Sequence, residues 1–371
     1  MRIGVDAVAL DEAGAGVSRY VREILMGMMA NSPSDDFVLY SWNPIHMPVA
    51  SGNWRARVAR SGRWSAPGHW LRDTLPRMIA EDAIDVFWGQ NTVMPLRLMR
   101  PCRRVVTVHD VTGFVVPHTM ELKGRLYWNL DFRAAVSTAD AVIAVSAATA
   151  RLLCRLLGVP HDRVTVVYEG CSSRSTAATP SVTDREVASR LDLPGEFMLT
   201  VGTLEPRKGH ATLLEAIGRG SRFPPLVIAG AVGWNSRGIL RLVREAENDG
   251  RARYLGRVSD EELAVLYRAA QIMIYPSLYE GFGLPVLEAM ACGCPVLCSW
   301  SSSLPEVGGS AARYFRPHDA GDLARQLRGV LADEHDLAEM KARGIEQAAK
   351  FSFRRASEQT LDILRGTTQA R

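Results

Sequence analysis

Short runs of apolar residues alternate along the chain with longer stretches whose apolar positions recur at helical spacing. RIGVDAVAL, DFVLYSW, AIDVFWG, RVVTVHD, DAVIAVS and RVTVVYEG read as strands, and SRYVREILMGMMA with the stretches around Leu126 to Val136 and Ala147 to Leu157 as helices. Strands apolar on both faces, alternating with helices, predict a parallel, doubly wound sheet. Residues 171–195 break the series with a polar, Ser/Thr/Ala/Pro-rich opening and read as a linker ending in a short helix. A second series follows. FMLTVGTL, PPLVIAG, ARYLGRV, IMIYPS, GCPVLCS and AARYFRP are its strands, with helices at ATLLEAIGR, GILRLVREAEN, SDEELAVLYRAA, LPVLEAMAC and DAGDLARQLRGVLAD. The pattern predicts an α/β protein of two Rossmann-like domains, 1–180 and 195–351, facing a central cleft, with ligands beyond the carboxyl ends of the strands. The closing stretch, about 352–371, is helical again and is expected to pack back on the first domain.

Length and composition agree with two cores: 371 residues, 47% of them hydrophobic. No apolar run approaches the roughly 20 residues of a membrane span. The opening MRIGVDAVAL lacks the basic and long apolar regions of a secretory signal, so a cytoplasmic place is expected. The six cysteines are scattered or lie in apolar runs, without zinc spacing, and read as buried thiols. A formal charge of +4 is too small and too dispersed to suggest nucleic acid as a partner.

Chemistry concentrates in YPSLYEGFGLPVLEAMACG, residues 275–293. A buried strand enters Glu280-Gly281-Phe282-Gly283, and Pro285 stands where the first turn of a helix tolerates it. Backbone N–H groups at such a helix start form an anion site suited to a diphosphate. Glu288, about one turn inside, is placed to accept hydrogen bonds from a ribose, while Glu280 reaches another part of the ligand. A glycine turn before an amphipathic helix, with Glu288 solvated, is the structural alternative. The seven residues between Glu280 and Glu288 resemble the E-x7-E motif of retaining GT-B glycosyltransferases, and EGFGLPVLEAMACGCPV resembles the donor signature of glycosyltransferase family 4. That resemblance implies the GT-B fold, a nucleotide-sugar donor, and attack from the face of the leaving phosphate. It also implies that Glu280 contacts the transferred sugar, that the amides around Gly281, Phe282, Gly283 and Leu284 hold sugar and phosphate, and that Glu288 binds the ribose.

In the loop Gly202-Thr203-Leu204-Glu205-Pro206-Arg207-Lys208-Gly209, two adjacent cations ahead of a helix could neutralise a departing nucleoside diphosphate without a metal. A turn with two solvated cations is the alternative. The loop resembles the family's phosphate-binding loop: Lys208 matches its lysine, Thr203 stands where an arginine is commoner, and Arg207 is expected to supply the missing charge. The GTLEPRK form resembles a subgroup rich in bacterial mannosyl- and related transferases. This implies GDP-mannose as donor ahead of a UDP-sugar. By the same resemblance Val258 lies against the nucleobase through its backbone, Gly16 belongs to the amino-terminal glycine loop beside the donor, and His109, ending a strand in VTVHD, touches the transferred sugar. Each of the last two has a structural alternative, a tight strand–helix turn and a hydrogen-bonded core histidine.

No Asp-x-Asp pair occurs, so no metal and no cofactor are expected. Residues 54–77 carry Arg55, Arg57, Arg60, Arg63, Arg72 and Arg77 against one acid, Asp73, with Trp54, Trp64 and Trp70 among them. Arginine with tryptophan suits contact with the inner face of a membrane or a polyprenyl-diphosphate-linked acceptor; a basic loop with its tryptophans folded under is the alternative. The expectation is a metal-independent retaining hexosyltransferase of bacterial polysaccharide or glycolipid assembly, acting on a glycan or lipid-linked acceptor. The rivals are an epimerase or phosphorylase of the same fold and a UDP-sugar-dependent transferase.

Overall fold

The computed structural model describes residues 1–10, 16–47, 52–59, 69–90, 94–95, 97–120, 128–171, 182–218 and 222–369. These form two compact units, the first comprising Met1–Phe114, Leu122–Glu169 and Phe353–Arg371, the second Val115–Glu121 and Gly170–Ser352.

In the first unit β1 (Arg2–Asp6), β2 (Asp36–Ser41), β3 (Trp54–Val58), β4 (Val86–Gly89), β5 (Arg103–Val108), β6 (Ala141–Ala144) and β7 (Val164–Val166) form a parallel sheet in the order β3-β2-β1-β4-β5-β6-β7. Its central strands are buried on both faces, as their unbroken apolar runs require. Strand β3 is absent from the sequence expectation, and the reason is physical. At the edge of a sheet a strand need not be apolar. Trp54 turns inward and stacks on Phe37 at 3.8 Å, while Arg55 and Arg57 reach Asp82 at 2.8 and 2.9 Å and Arg57 also reaches Glu81 at 3.0 Å. Two of the six arginines of 54–77 are thus answered by acids lying just past the segment. Arg60, Arg63 and Trp64 lie outside the described residues.

The helix Phe353–Gln369 belongs to this unit and packs along Gly16–Asn31. Close approach needs Gly27, since a Cβ there would stand 2.2 Å from the Ser357 hydroxyl. Arg365 holds the far end by an ion pair of 2.7 Å to Asp35.

The second unit contains β8 (Met198–Val201), β9 (Leu226–Ala229), β10 (Ala252–Gly256), β11 (Ile272–Tyr275), β12 (Val296–Ser299) and β13 (Arg313–Phe315), parallel, in the order β10-β9-β8-β11-β12-β13. Ile228, Ile274 and Leu297 meet Leu213, Val243, Leu323 and Leu327 in its core. The helix Asp260–Ala269 begins at a capping box of Ser259 and Glu262, as SDEE suggests. Within the linker, 172–181 lie outside the described residues, whereas the helix Val182–Arg190 is tied to this unit by a bidentate Asp184–Arg268 pair at 2.7 and 2.9 Å. Val115–Glu121, expected in the first domain, also clusters here, with the Thr119 carbonyl accepting the Trp234 indole N–H at 2.9 Å. Among the described residues no helix is long and apolar enough to cross a membrane.

Candidate functional site

The strand order of the second sheet reverses between β8 and β11, and at such a switch point the two loops diverge and leave a crevice. The loop after β8 carries Thr203 to Gly209; the loop after β11 carries Ser277 to Gly283. Gly209, at φ 70°, presses its backbone against the second loop, where a Cβ would fall 2.0 Å from the Pro276 carbonyl oxygen. The Leu278 N–H then donates to the Arg207 carbonyl at 2.8 Å. This backbone contact delivers Arg207 and Lys208 to Glu280.

Glu280 is the centre of the cluster and is buried. Its Oε1 accepts from Lys208 Nζ at 2.6 Å, Ser277 Oγ at 2.5 Å and the Tyr275 hydroxyl at 2.9 Å, and its Oε2 accepts from Arg207 at 3.0 Å. Burial pushes this carboxyl up, but Lys208 and Arg207 together overrule it and hold it at about 2. Lys208 is lowered, by burial first and by Arg207 next, against the pull of Glu280. Arg207 also donates to Glu205 at 2.7 Å and to the Tyr279 carbonyl at 2.8 Å. Glu205 is buried, and burial raises its carboxyl despite Arg207 and Lys208. Two carboxylates and two cations therefore share one nearly dry cluster.

That arrangement bears on Arg207. Its guanidinium is directed to Glu205, Glu280 and a carbonyl, so its charge is already answered within the fold. Thr203, for which it was expected to compensate, packs under the loop after β9; a Cβ at Gly233 would stand 2.6 Å from the Thr203 methyl. Among the described residues, the Lys208 ammonium donates to Glu280 and Tyr275.

A row of serines at the end of β12 fixes the Glu280 loop. Ser302 Oγ accepts the Glu280 N–H at 2.8 Å, Ser303 donates to the carbonyls of Glu280 and Phe282 at 3.0 and 2.6 Å, and Ser299 and Ser301 donate to those of Ser277 and Leu278. Gly283, at φ 111°, then turns the chain into the helix Leu284–Ala291 with Pro285 in its first turn. Phe282 turns inward against Phe351, leaving its backbone to the loop. Glu288 is buried, not solvated, and its Oε2 accepts the Tyr267 hydroxyl at 3.3 Å. Gly281 and Leu284 complete this loop and helix start. Val258 is half-buried in the turn after the edge strand β10, away from the switch point.

In the first unit, His109 follows β5. Its Nδ1 lies 3.2 Å from Glu169 Oε1, and the Tyr20 ring meets it edge-on with centroids 4.7 Å apart. Its neighbour Asp110 accepts the Thr112 N–H at 2.8 Å and starts a short helix. Gly16 opens the helix Gly16–Asn31; residues 11–15, including Gly14, lie outside the described residues. Asp6, ending β1, is buried and raised to about 7 by that burial, against hydrogen bonds from the N–H groups of Val8 and Gln90.

Sequence inspection alone passed over Glu169, Glu205, Tyr275, Ser277, Ser302, Ser303 and Gln90. The available signal was position: each follows or ends an apolar strand run, where a parallel sheet displays functional groups.

Comparison with known proteins follows the same two halves. Residues 183–351 match the family model of glycosyl transferases group 1, and residues 15–173 that of glycosyltransferase family 4. The chain is similar to the O-antigen chain mannosyltransferase B of Escherichia coli, 35% identical over 75% of this chain and 73% of that one. A serotype-specific mannosyltransferase of Escherichia coli is 35% identical over 60% of this chain but only 28% of its own length. Among solved structures, sucrose-phosphate synthase from Thermosynechococcus elongatus superposes with a TM-score of 0.81 over 100% of both chains at 23% identity, a likeness of fold.

Proposed function

The chain belongs to glycosyltransferase family 4, with the two Rossmann-like units of the GT-B fold, and from that premise we propose that it transfers mannose from GDP-mannose to a growing bacterial polysaccharide, with retention. The observation that carries the reading is the Lys208–Glu280 pair at the switch point, next to the helix start at Gly283. A donor seated there places its diphosphate against the positive end of the helix Leu284–Ala291 and near Lys208. Glu280, held ionised, is an acceptor for sugar hydroxyls. As the glycosidic bond breaks, charge grows on the leaving phosphate. Lys208, in a site of low exposure, stabilises that charge without the reorganisation water would need. Glu288, anchored by Tyr267, is the ribose acceptor. No step of this scheme calls for a metal ion. Mannose as the transferred sugar is supported by the two similar mannosyltransferases. The acceptor is a glycan, lipid-linked in our reading, with Arg72 and Arg77 the described arginines of 54–77 that carry it toward an anionic surface.

The test is transfer from radiolabelled GDP-mannose and UDP-glucose to α-mannoside oligosaccharides, with and without EDTA, and an anomeric NMR assignment of the product. An α-linked mannoside formed in EDTA supports the proposal. Transfer from UDP-glucose alone, a β-linked product, or a strict need for added magnesium or manganese refutes the corresponding part. Turnover of the donor without an acceptor would favour an epimerase.

A further inference from the structure

Trp300 stands among the serines that fix the Glu280 loop, yet no step of donor binding uses it. It is 62% exposed, the most open tryptophan among the described residues. Its surroundings are rigid. Its backbone N–H donates to the Phe315 carbonyl at 2.8 Å, and on either side Ser299 and Ser301 donate to the carbonyls of Ser277 and Leu278. The indole meets Tyr314 edge-on, with ring centroids 4.8 Å apart and planes at 79°. Tyr314 is itself held: its hydroxyl donates to the Gly309 carbonyl at 2.8 Å, and a Cβ at Gly308 would fall 2.5 Å from that hydroxyl. Cys298 pairs with Tyr314 across β12 and β13, so strand alternation puts Trp300 on the Tyr314 side at the carboxyl end of the sheet. Two residues on, Ser302 accepts the Glu280 N–H at 2.8 Å. Two residues of extended chain span about 7 Å at most, so the Trp300 backbone lies within roughly 12 Å of the Glu280 nitrogen.

An indole fixed in place but left in water has little conformational freedom to lose when a ligand covers it. With so much of the side chain exposed, an indole face is open. Aromatic faces carry negative charge density, and one side of a hexopyranose ring presents axial C–H bonds of the opposite polarity while its hydroxyls stay at the rim in water. The charges nearby favour such a neutral ligand over an anionic headgroup. Serines flank Trp300, and Arg313 and Arg316, at and just past the ends of β13, are answered by Asp336 at 2.7 Å and Asp319 at 2.8 Å. We propose that Trp300, propped by Tyr314, is a platform on which a pyranose of the acceptor glycan stacks, one or more units away from the one that receives the new sugar. The proposal rests on the reading of the acceptor as an oligosaccharide and adds the residue that senses its length.

The experiment uses the full chain and compares methyl α-mannoside with an α-linked mannotetraose as acceptors for GDP-mannose. In wild type kcat/KM should favour the tetrasaccharide by about five- to tenfold, the worth of one aromatic stacking contact. Trp300→Ala should remove most of that preference, and Trp300→Phe should keep part of it. Acrylamide quenching of tryptophan fluorescence gives a readout without turnover. Mannotetraose alone should protect the wild type, and the protection should be lost in Trp300→Phe, whose urea melt should match the wild type. A length preference equal in wild type and Trp300→Ala, or equal protection in Trp300→Phe, overturns the platform. Protection by phosphatidylglycerol vesicles and not by mannotetraose makes this face a membrane contact and overturns it as well. If the wild type transfers no mannose yet mannotetraose protects Trp300, the transfer reading fails and the platform stands. If it transfers mannose with no preference for length, transfer stands and the platform fails; with neither transfer nor protection, both fail.

Discussion

Replacing Arg207 by methionine tests whether this residue braces the Glu280 loop or serves as a free cation for the ligand. Its side chain is 12% exposed and that of Glu205 only 2%. Removing the guanidinium leaves Glu280 with Lys208, Ser277 and Tyr275, but takes from Glu205 its ion-pair partner. Breaking a buried pair from one side typically costs about 3–5 kcal/mol, because the other charge stays buried. Here the cost is bounded. Burial already raises the Glu205 carboxyl with Arg207 present, so without it the group gains a proton rather than remain charged. The sign follows. An acid whose folded pKa lies above its unfolded one loses stability as pH rises from the unfolded value toward the folded one, by about 1.4 kcal/mol per unit. Arg207→Met should therefore cost about 3 kcal/mol near pH 7.5 and distinctly less near pH 5. For the second unit that is a fall of roughly 6–12 °C in Tm. Urea melts of wild type, Arg207→Met, Glu205→Gln and the double variant form the cycle. The double variant should recover about 2 kcal/mol of the loss, since a neutral amide is far cheaper to bury than an unpaired carboxylate. A loss under about 1 kcal/mol, or a double variant no better than the single one, would refute the brace.

Lys208→Ala should lower kcat roughly 100-fold with GDP affinity changed much less, because the charge it answers grows during bond breaking; steady-state kinetics beside calorimetry decides, and an unaltered kcat removes Lys208 from the chemistry. Glu288→Gln should weaken GDP by about 1.5–3 kcal/mol, whereas Tyr267→Phe should weaken it less, by loosening the carboxylate rather than deleting it; equal effects, or none, by calorimetry would place Glu288 outside the ribose site. His210 is buried with neither ring nitrogen partnered among the described residues, and burial, aided by the charge on Lys208, lowers it to about 3. The unfolded chain then binds the extra proton below about pH 6.5, so stability present above that value should fall by roughly 4–5 kcal/mol on the way to pH 3. His210→Leu should flatten this acid slope in urea melts, and a slope left intact would assign it elsewhere.

What the sequence determined by itself was whatever a short window contains. Apolar runs mark twelve of the strands named above, the central ones most clearly, because a strand buried on both faces must be apolar throughout. The spacing of Glu280 and Glu288 across Gly281 and Gly283 marks a helix start with carboxylates on either side of it. β3 escaped because its burial is one-sided and its arginines answer acids at Glu81 and Asp82, beyond any local window. Only the tertiary structure decided partnership. Adjacent in sequence, Arg207 and Lys208 look equivalent, yet the strand order that brings β8 beside β11 puts Glu280 within reach of both, with Arg207 turning also to Glu205 in its own loop and Lys208 to Tyr275. His109 and Glu169 lie sixty residues apart, and β5, β6 and β7 must stand side by side before the pair can form. Hydrophobic pattern is a local property of the chain, so it can be read from the chain. The state of a buried charge is set by what the fold places within about 3 Å of it, and that is known only once the strands are in order.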